Sequence, residues 1–304
     1  MMKIGIKLPV MSPATSEELR NFIENAERER FDSIWVGDHI VIPEQLDASQ
    51  YPYLWRYDRK MSDLFPSKWW LEAMTTCAFI AGASRRLQIG VGVLVVPMRR
   101  VVELAKQIAT VDVVSGGRFI AGIGTGWCRE EFDVLGAPFE DRGKRLDESV
   151  AVMRKLWSGG VVGHDSDLIN FAPVHFEPKP VQEGGPPIWV GGQSSFALRR
   201  TVRLGNGWQA VELSPDDFRD SSRKLDGMLQ EAGRDPRSVV RSVATRLRLG
   251  EGDLQASRDP IRACADAGCD HLVVYSTPGR SVDENIERAT RLRHLVDEVL
   301  SVVR

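Results

Sequence analysis

Arg118-Phe-Ile-Ala-Gly122-Ile-Gly124-Thr-Gly126-Trp127 is followed, after Cys128, by Arg129-Glu130-Glu131. A short apolar strand runs into a glycine-dense turn, and the turn runs into a helix start. A second corner has the same grammar: Pro187-Ile-Trp-Val190, then Gly191-Gly192-Gln193-Ser194, then Phe196-Ala-Leu198. Two such corners predict a parallel α/β protein whose helix N-termini present unpaired N–H groups, a geometry that holds phosphates.

Working outward, the apolar runs predict strands at residues 3–8, 32–37, 87–95, 118–124, 188–191, 207–211, 239–247 and 271–275. Helical signals lie between them. Thr15 and Glu18 form a capping box ahead of Leu19, Phe22, Ile23 and Ala26 at helical spacing. A helix over 101–114 stops at Ser115-Gly116-Gly117, and another covers 142–157. Further helices are expected over 194–204, after Ser214-Pro215, near 260–267 and after Ser281. Eight strands alternating with helices in 304 residues give the count of a (β/α)8 TIM barrel, with a doubly wound sheet as its rival. One domain over residues 1–304 is expected. Two insertions interrupt the alternation, one after the second strand (residues 40–70) and one before the fifth (158–187). The first holds Tyr51, Tyr53, Trp55, Tyr57, Phe65, Trp69 and Trp70. It reads either as a lid over an apolar pocket or as packing on the barrel rim.

A net charge of −2, with Lys and Arg spread along the chain, gives no support to nucleic-acid binding or a membrane-surface role. The expected partner is a small molecule. The longest apolar run, near Ile89 to Val96, is far below membrane-spanning length, and the lysine-interrupted N-terminus is too short for a signal peptide. Cys77, Cys128, Cys264 and Cys269 form no Cys-x-x-Cys pair, which predicts reduced thiols and a cytoplasmic location. The five histidines make no zinc pattern, so no metal is expected.

In a barrel, ligands sit at the C-terminal strand ends. Asp38-His39 ends the second strand and can shuttle a proton or bind a polar ligand edge; alternatively Asp38 caps a loop and His39 is a surface side chain. Gly122, Gly124 and Gly126 fail as a dinucleotide fingerprint because Trp127 occupies the last glycine's place. They suit a tight turn beneath a flat ligand, or a turn with no ligand at all. Gly191, Gly192, Gln193 and Ser194 offer amides and a hydroxyl to a phosphate. Glu130 and Glu131 in the first turn of a helix read most simply as complements to its dipole. With no nucleophile elbow and no P-loop, a bound phosphorylated cofactor is the economical inference.

These motifs resemble the luciferase-like monooxygenase superfamily, and within it the probable coenzyme F420 (deazaflavin)-dependent oxidoreductases. The resemblance is carried by Ser33-Ile-Trp35-Val-Gly-Asp38-His39, Gly90-Val-Gly92-Val-Leu-Val-Val-Pro97 and Asp112-Val-Val-Ser-Gly-Gly-Arg118. Gly124-Thr-Gly-Trp127, Phe176-Glu-Pro-Lys-Pro-Val-Gln182 and Pro187-Ile-Trp-Val-Gly-Gly192 complete it. It implies a ring seated at the barrel mouth on Gly92, Val93, Leu94, Gly124, Thr125 and Gly126, with a non-prolyl cis bond at Gly92–Val93 behind it. Its phosphate would rest on Gly191, Gly192, Gln193 and Ser194. Asp38, His39 and Trp127 are the implied catalytic residues, Trp127 standing where sugar-phosphate dehydrogenase relatives carry a glutamate. The implied function is hydride transfer between F420 and a small organic substrate in a homodimer. An FMN-dependent monooxygenase and a catalytically silent phosphate-binding barrel are the alternatives.

Overall fold

The computed structural model describes residues 2–9, 14–45, 51, 68–247, 254–275 and 281–301. Tyr53, Trp55, Tyr57 and Phe65 of the aromatic insertion lie outside them. The first half of the chain runs β1 (Lys3–Lys7), α1 (Ser16–Arg28), β2 (Ser33–Val36), α2 (Ala73–Ala83), β3 (Gln88–Val91), β4 (Leu94–Val95), α3 (Val101–Ser115), β5 (Phe119–Gly124), α4 (Arg129–Val134) and α5 (Arg142–Ser158). The second half runs β6 (Val161–His164), β7 (Phe171–His175), β8 (Ile188–Gly191), α6 (Ser195–Leu204), β9 (Gly207–Val211), α7 (Pro215–Glu231), β10 (Val240–Arg246), α8 (Leu254–Asp266), β11 (His271–Tyr275) and α9 (Val282–Ser301).

The main sheet is ordered β3-β2-β1-β11-β10-β9-β8-β5, and β5 pairs back onto β3 at Ile89–Phe119 and Gly90–Ile120. All these pairings are parallel, so the sheet closes into an eight-stranded barrel with helices outside: the expected TIM barrel. Closure puts every C-terminal strand end on one rim, where side chains from distant parts of the sequence converge.

Local chemistry explains most boundaries. The Thr15–Glu18 capping box is formed on both sides, and Leu19, Phe22, Ile23 and Ala26 of α1 are buried. Gly116 ends α3 at φ 66°, a left-handed cap that glycine adopts without a Cβ clash. Two elements escaped the sequence reading. Helix α2, Ala-Met-Thr-Thr-Cys-Ala-Phe-Ile-Ala-Gly-Ala, is apolar nearly all round and shows no 3.6-residue alternation. The second insertion is not a plain loop: β6 and β7 form an antiparallel hairpin on the barrel's outside.

The barrel's centre sets aromatic and polar side chains beside Ile120 and Val273. Trp35 and Trp189 meet at 5.2 Å, and Trp35 Nε1 donates to Ser33 Oγ, which lies 2.7 Å from His271 Nε2. Burial, helped by the charge of Lys3, pushes His271 down to about 3, so it stays neutral. At the opposite, N-terminal end, the Asp112 carboxylate accepts from the Val181 and Gln182 amides and the Gln182 side chain. The Arg118 guanidinium there donates to the carbonyls of Ala81, Ser84, Leu87 and Ser115. Two residues of the motifs quoted above are therefore structural ties.

The third predicted strand is broken. A cis peptide joins Gly92 and Val93, separating β3 from β4, and β4 re-pairs with β5 at Leu94–Ile123 and Val95–Gly124. The Val91 carbonyl faces β5, where a Cβ on Gly122 would lie 1.9 Å from its oxygen. No side-chain rotation relieves a clash with backbone. Gly122→Ala is expected to lower unfolding free energy by about 3 kcal/mol, measured by urea denaturation. A loss under about 0.5 kcal/mol would show that β5 has slack here.

Candidate active site

A cavity of about 310 Å³ opens at the C-terminal rim. The strand ends and following loops deliver Asp38, His39, Gly92, Val93, Gly124, Thr125, Gly126, Trp127, Gly191, Gly192 and Gln193 to its lining. Two predicted contacts are placed elsewhere. Leu94 is fully buried in the hydrophobic core and does not line the cavity. Ser194 is exposed outside it, its hydroxyl accepting from the Ala197 amide as the N-cap of α6.

The floor is set by Val93. A Cβ on Gly124 would lie 2.5 Å from Val93 Cγ2, and one on Gly191 would lie 2.5 Å from Val93 Cγ1. Glycine at both positions lets the valine project between β5 and β8 and leaves a shallow, side-chain-free platform around it. Gly126 and Gly192 continue that platform at φ 78° and 107°, in the region that disfavours side chains.

Asp38 lines the cavity, yet its oxygens are engaged. Oδ2 accepts from the Val95 amide at 2.7 Å and from Arg99 Nη1 at 2.8 Å, and Oδ1 accepts from Arg99 Nη2 at 2.7 Å. This fork fastens β4, just after the break, to the end of β2. The structure therefore gives Asp38 an anchoring task.

His39 has a partner that sequence reading assigned only to the helix dipole. His39 Nδ1 lies 3.0 Å from Glu131 Oε2, while Glu131 Oε1 accepts from the Ile40 amide at 2.6 Å and the Val41 amide at 3.3 Å. Burial pushes the Glu131 carboxyl upward. The His39 hydrogen bond and charge, with the two amides, outweigh it and hold the carboxyl below the usual carboxylate value. An acceptor-only carboxylate assigns a proton to Nδ1. Nothing in sequence pairs positions 92 apart; only the α4 start beside the end of β2 does.

Aromatic rings wall the mouth. Trp70 meets His39 edge-on at 5.0 Å, and Trp127 meets His39 at 6.1 Å and Tyr51 at 5.2 Å. The buried Tyr51 hydroxyl donates to Glu130, and burial, with that hydrogen bond, pushes its phenol up. Part of the first insertion thus docks on the rim as a cover. Lys7, Arg246 and Tyr275, which the sequence did not single out, complete the lining on the side of β1, β10 and β11.

The helix α6 N-terminus borders the platform. The Gly192 amide donates to the Gln209 carbonyl at 3.1 Å and Ser194 caps Ala197, so two expected phosphate contacts are internal. The Ser195 and Phe196 amides open the helix, where no intrahelical acceptor exists. A flat ring on Val93 and an anion at Ser195–Phe196 both fit what is present.

The comparisons agree with this geometry. Residues 2–295 match the family described as luciferase-like monooxygenase, and the chain belongs to that family of oxidoreductases. A phthiodiolone/phenolphthiodiolone dimycocerosates ketoreductase of Mycobacterium tuberculosis is 26% identical over 280 residues, 90% of this chain and 70% of that one. An F420-dependent secondary alcohol dehydrogenase, solved with an F420–acetone adduct, superimposes with a TM-score of 0.77 at 17% identity, covering 97% of this chain and 99% of its own. Monooxygenase RslO1 from Streptomyces bottropensis superimposes with a TM-score of 0.76 at 18% identity, covering 98% of both. Among the described residues no helix is long and apolar enough to cross a membrane.

The titrations of two lining residues run in opposite senses. Glu131 is held below 4.5 when folded, so its stabilisation is present above that value and is lost as pH falls through the folded one. Glu131→Gln is expected to flatten the acid limb of the Tm–pH profile; an unchanged limb would deny the His39–Glu131 interaction its strength. Lys7 is lowered from 10.5 to about 8, by burial first and by Arg246 second, with Glu212 opposing. The unfolded chain then binds the extra proton between those values, so stability rises with pH across that window. Lys7→Met is expected to raise Tm at pH 7 by about 2–4 °C, with the gain shrinking above pH 8. A lower Tm at pH 7 would contradict this.

Proposed function

We propose that this luciferase-like oxidoreductase works with the deazaflavin F420, moving a hydride to or from a small organic carbonyl or alcohol. The observation that carries the reading is the platform of Gly92, Val93, Gly124 and Gly191 beneath His39, with the α6 N-terminus beside it. Support for the cofactor and the substrate class comes from the names of a ketoreductase relative and an F420-dependent alcohol dehydrogenase neighbour. F420, when bound, supplies a carbon-centred hydride and handles electrons in pairs.

The chain's residues have separable tasks in this reading. Val93 supports the ring, and the Ser195 and Phe196 amides, with the positive end of α6, receive the phosphate. His39 Nε2 holds or passes a proton at the ring's polar edge, and Glu131 keeps the imidazole in one tautomer. Asp38 and Arg99 position the broken strand beneath them. Trp70, Trp127 and Tyr51 exclude water from the mouth, which strengthens every polar contact inside. A cytoplasmic homodimer belongs to the same reading; it rests on the family likeness and on four buried, unbridged cysteines.

An FMN-dependent monooxygenase on the same platform is the second reading, favoured by the likeness to RslO1. Titration followed by tryptophan quenching separates the two, because Trp70 and Trp127 line the site. F420 is expected to bind at micromolar concentration, with FMN at least about tenfold weaker. FMN binding with none for F420 would overturn the proposal. His39→Ala is expected to lower turnover about 100-fold while leaving F420 affinity within about threefold. Full turnover in that variant would remove His39 from the chemistry.

A further inference from the structure

One side of the cavity carries a group of charges that the redox reading leaves without a task. Lys7 ends β1, Glu212 follows β9, Arg246 ends β10 and Tyr275 ends β11. Parallel register brings these ends together: β1 and β9 flank the neighbouring pair β10–β11 on the rim. Lys7 Nζ stands 5.3 Å from the Tyr275 ring centroid, and the Arg246 guanidinium stands 5.7 Å from the same centroid. Both cations thus lie against the Tyr275 ring, whose hydroxyl donates to the Glu212 carboxylate.

The arrangement is specifically built. Glu212 and Arg30 are the non-glycine residues with positive φ among those described, and Glu212, at 54°, is held there by its amide donating to the Ala244 carbonyl at 2.8 Å. A glutamate in the left-handed region is uncommon outside functional turns. Gly37 leaves room for the lysine stem, since a Cβ there would lie 3.3 Å from Lys7 Cε. Among the described residues Lys7 Nζ forms no hydrogen bond and no ion pair within 4.0 Å, and it packs against the Tyr275 ring. A half-buried ammonium beside a guanidinium is costly, and burial with the Arg246 charge accordingly pushes Lys7 down to about 8. An anion bound between the two cations would reverse that cost.

We propose that Lys7 and Arg246 form a receptor for one carboxylate, making the substrate a small organic monoanion whose apolar body lies toward Val93. Its redox part rests on the function proposed above; the anion site itself is read from these side chains alone. Among the described residues, this wall sets the two cations Lys7 and Arg246 against the one carboxylate of Glu212. A monoanion matches the second cation, whereas a phosphate dianion meets the repulsion of Glu212. The planar guanidinium matches a carboxylate in bidentate fashion, and Lys7 adds a point charge.

Calorimetric titration of the purified protein with benzoate and with its neutral counterpart benzamide, with and without F420, tests this. Benzoate is expected to bind at least about tenfold more tightly than benzamide. Lys7→Met is expected to abolish that preference, Lys7→Arg to retain it, and both to leave F420 affinity within about twofold. Equal binding of the two probes by the native protein, or a preference that survives Lys7→Met, would overturn the proposal. So would inorganic phosphate displacing benzoate at lower concentration, or loss of F420 affinity in Lys7→Met with the benzoate preference intact. A benzoate preference in a protein that binds no F420 would sustain the carboxylate site and discard the cofactor reading.

Discussion

The break between β3 and β4 is the constraint on which the rest of the structure depends. With the Val91 carbonyl facing Gly122 and the Val93 side chain between Gly124 and Gly191, it converts one barrel strand into a platform. Glycine is required at each receiving position for a steric reason, and the contact differs at each. At Gly122 the obstacle is backbone oxygen; at Gly124 and Gly191 it is the branched side chain of Val93. The buried Asp38–Arg99 pair holds the displaced strand in place, with Asp38 also accepting from the Val95 amide. Removing one partner of such a pair leaves a charge in a poorly solvated place, at a cost of about 3–5 kcal/mol.

The polar half of the site is organised by a carboxylate that is only 2% exposed, Glu131. It binds the histidine and the two amides that follow it, so the loop leaving β2 and the start of α4 become one unit. Trp70 of the aromatic insertion and Trp127 press on the His39 ring. The opposite wall is organised differently: Lys7 and Arg246 face the same Tyr275 ring, while Tyr275 is tied to Glu212. A histidine held by one anion on one side and a pair of cations on the other give the cavity a polarity along which an asymmetric substrate can be oriented.

Much of the fold was legible because barrel strands and their helices leave local signatures. Glycine after an apolar run, a capping box at Thr15 and Glu18, and proline after Ser214 are each physical statements about a few neighbouring residues. Helix α2 was missed because a helix apolar on all sides has no period to read. The β6–β7 hairpin was missed because Gly and Pro concealed two short strands. In the site, the glycines and His39 were visible as strand ends, and Leu94 was drawn in only by adjacency to Val93. Glu131, Lys7, Glu212, Arg246 and Tyr275 were not visible. Their meaning arises from closure of the barrel, which joins positions that share no local pattern, and the Asp38–Arg99 pair arises in the same way.

A crystal structure of the protein grown with F420 tests the central claim most directly. The account predicts the tricyclic ring lying on Val93, flanked by Gly124 and Gly191, with His39 at its polar edge and the phosphate on the Ser195 and Phe196 amides. A ring bound outside this platform, or a phosphate held away from the α6 N-terminus, would contradict it.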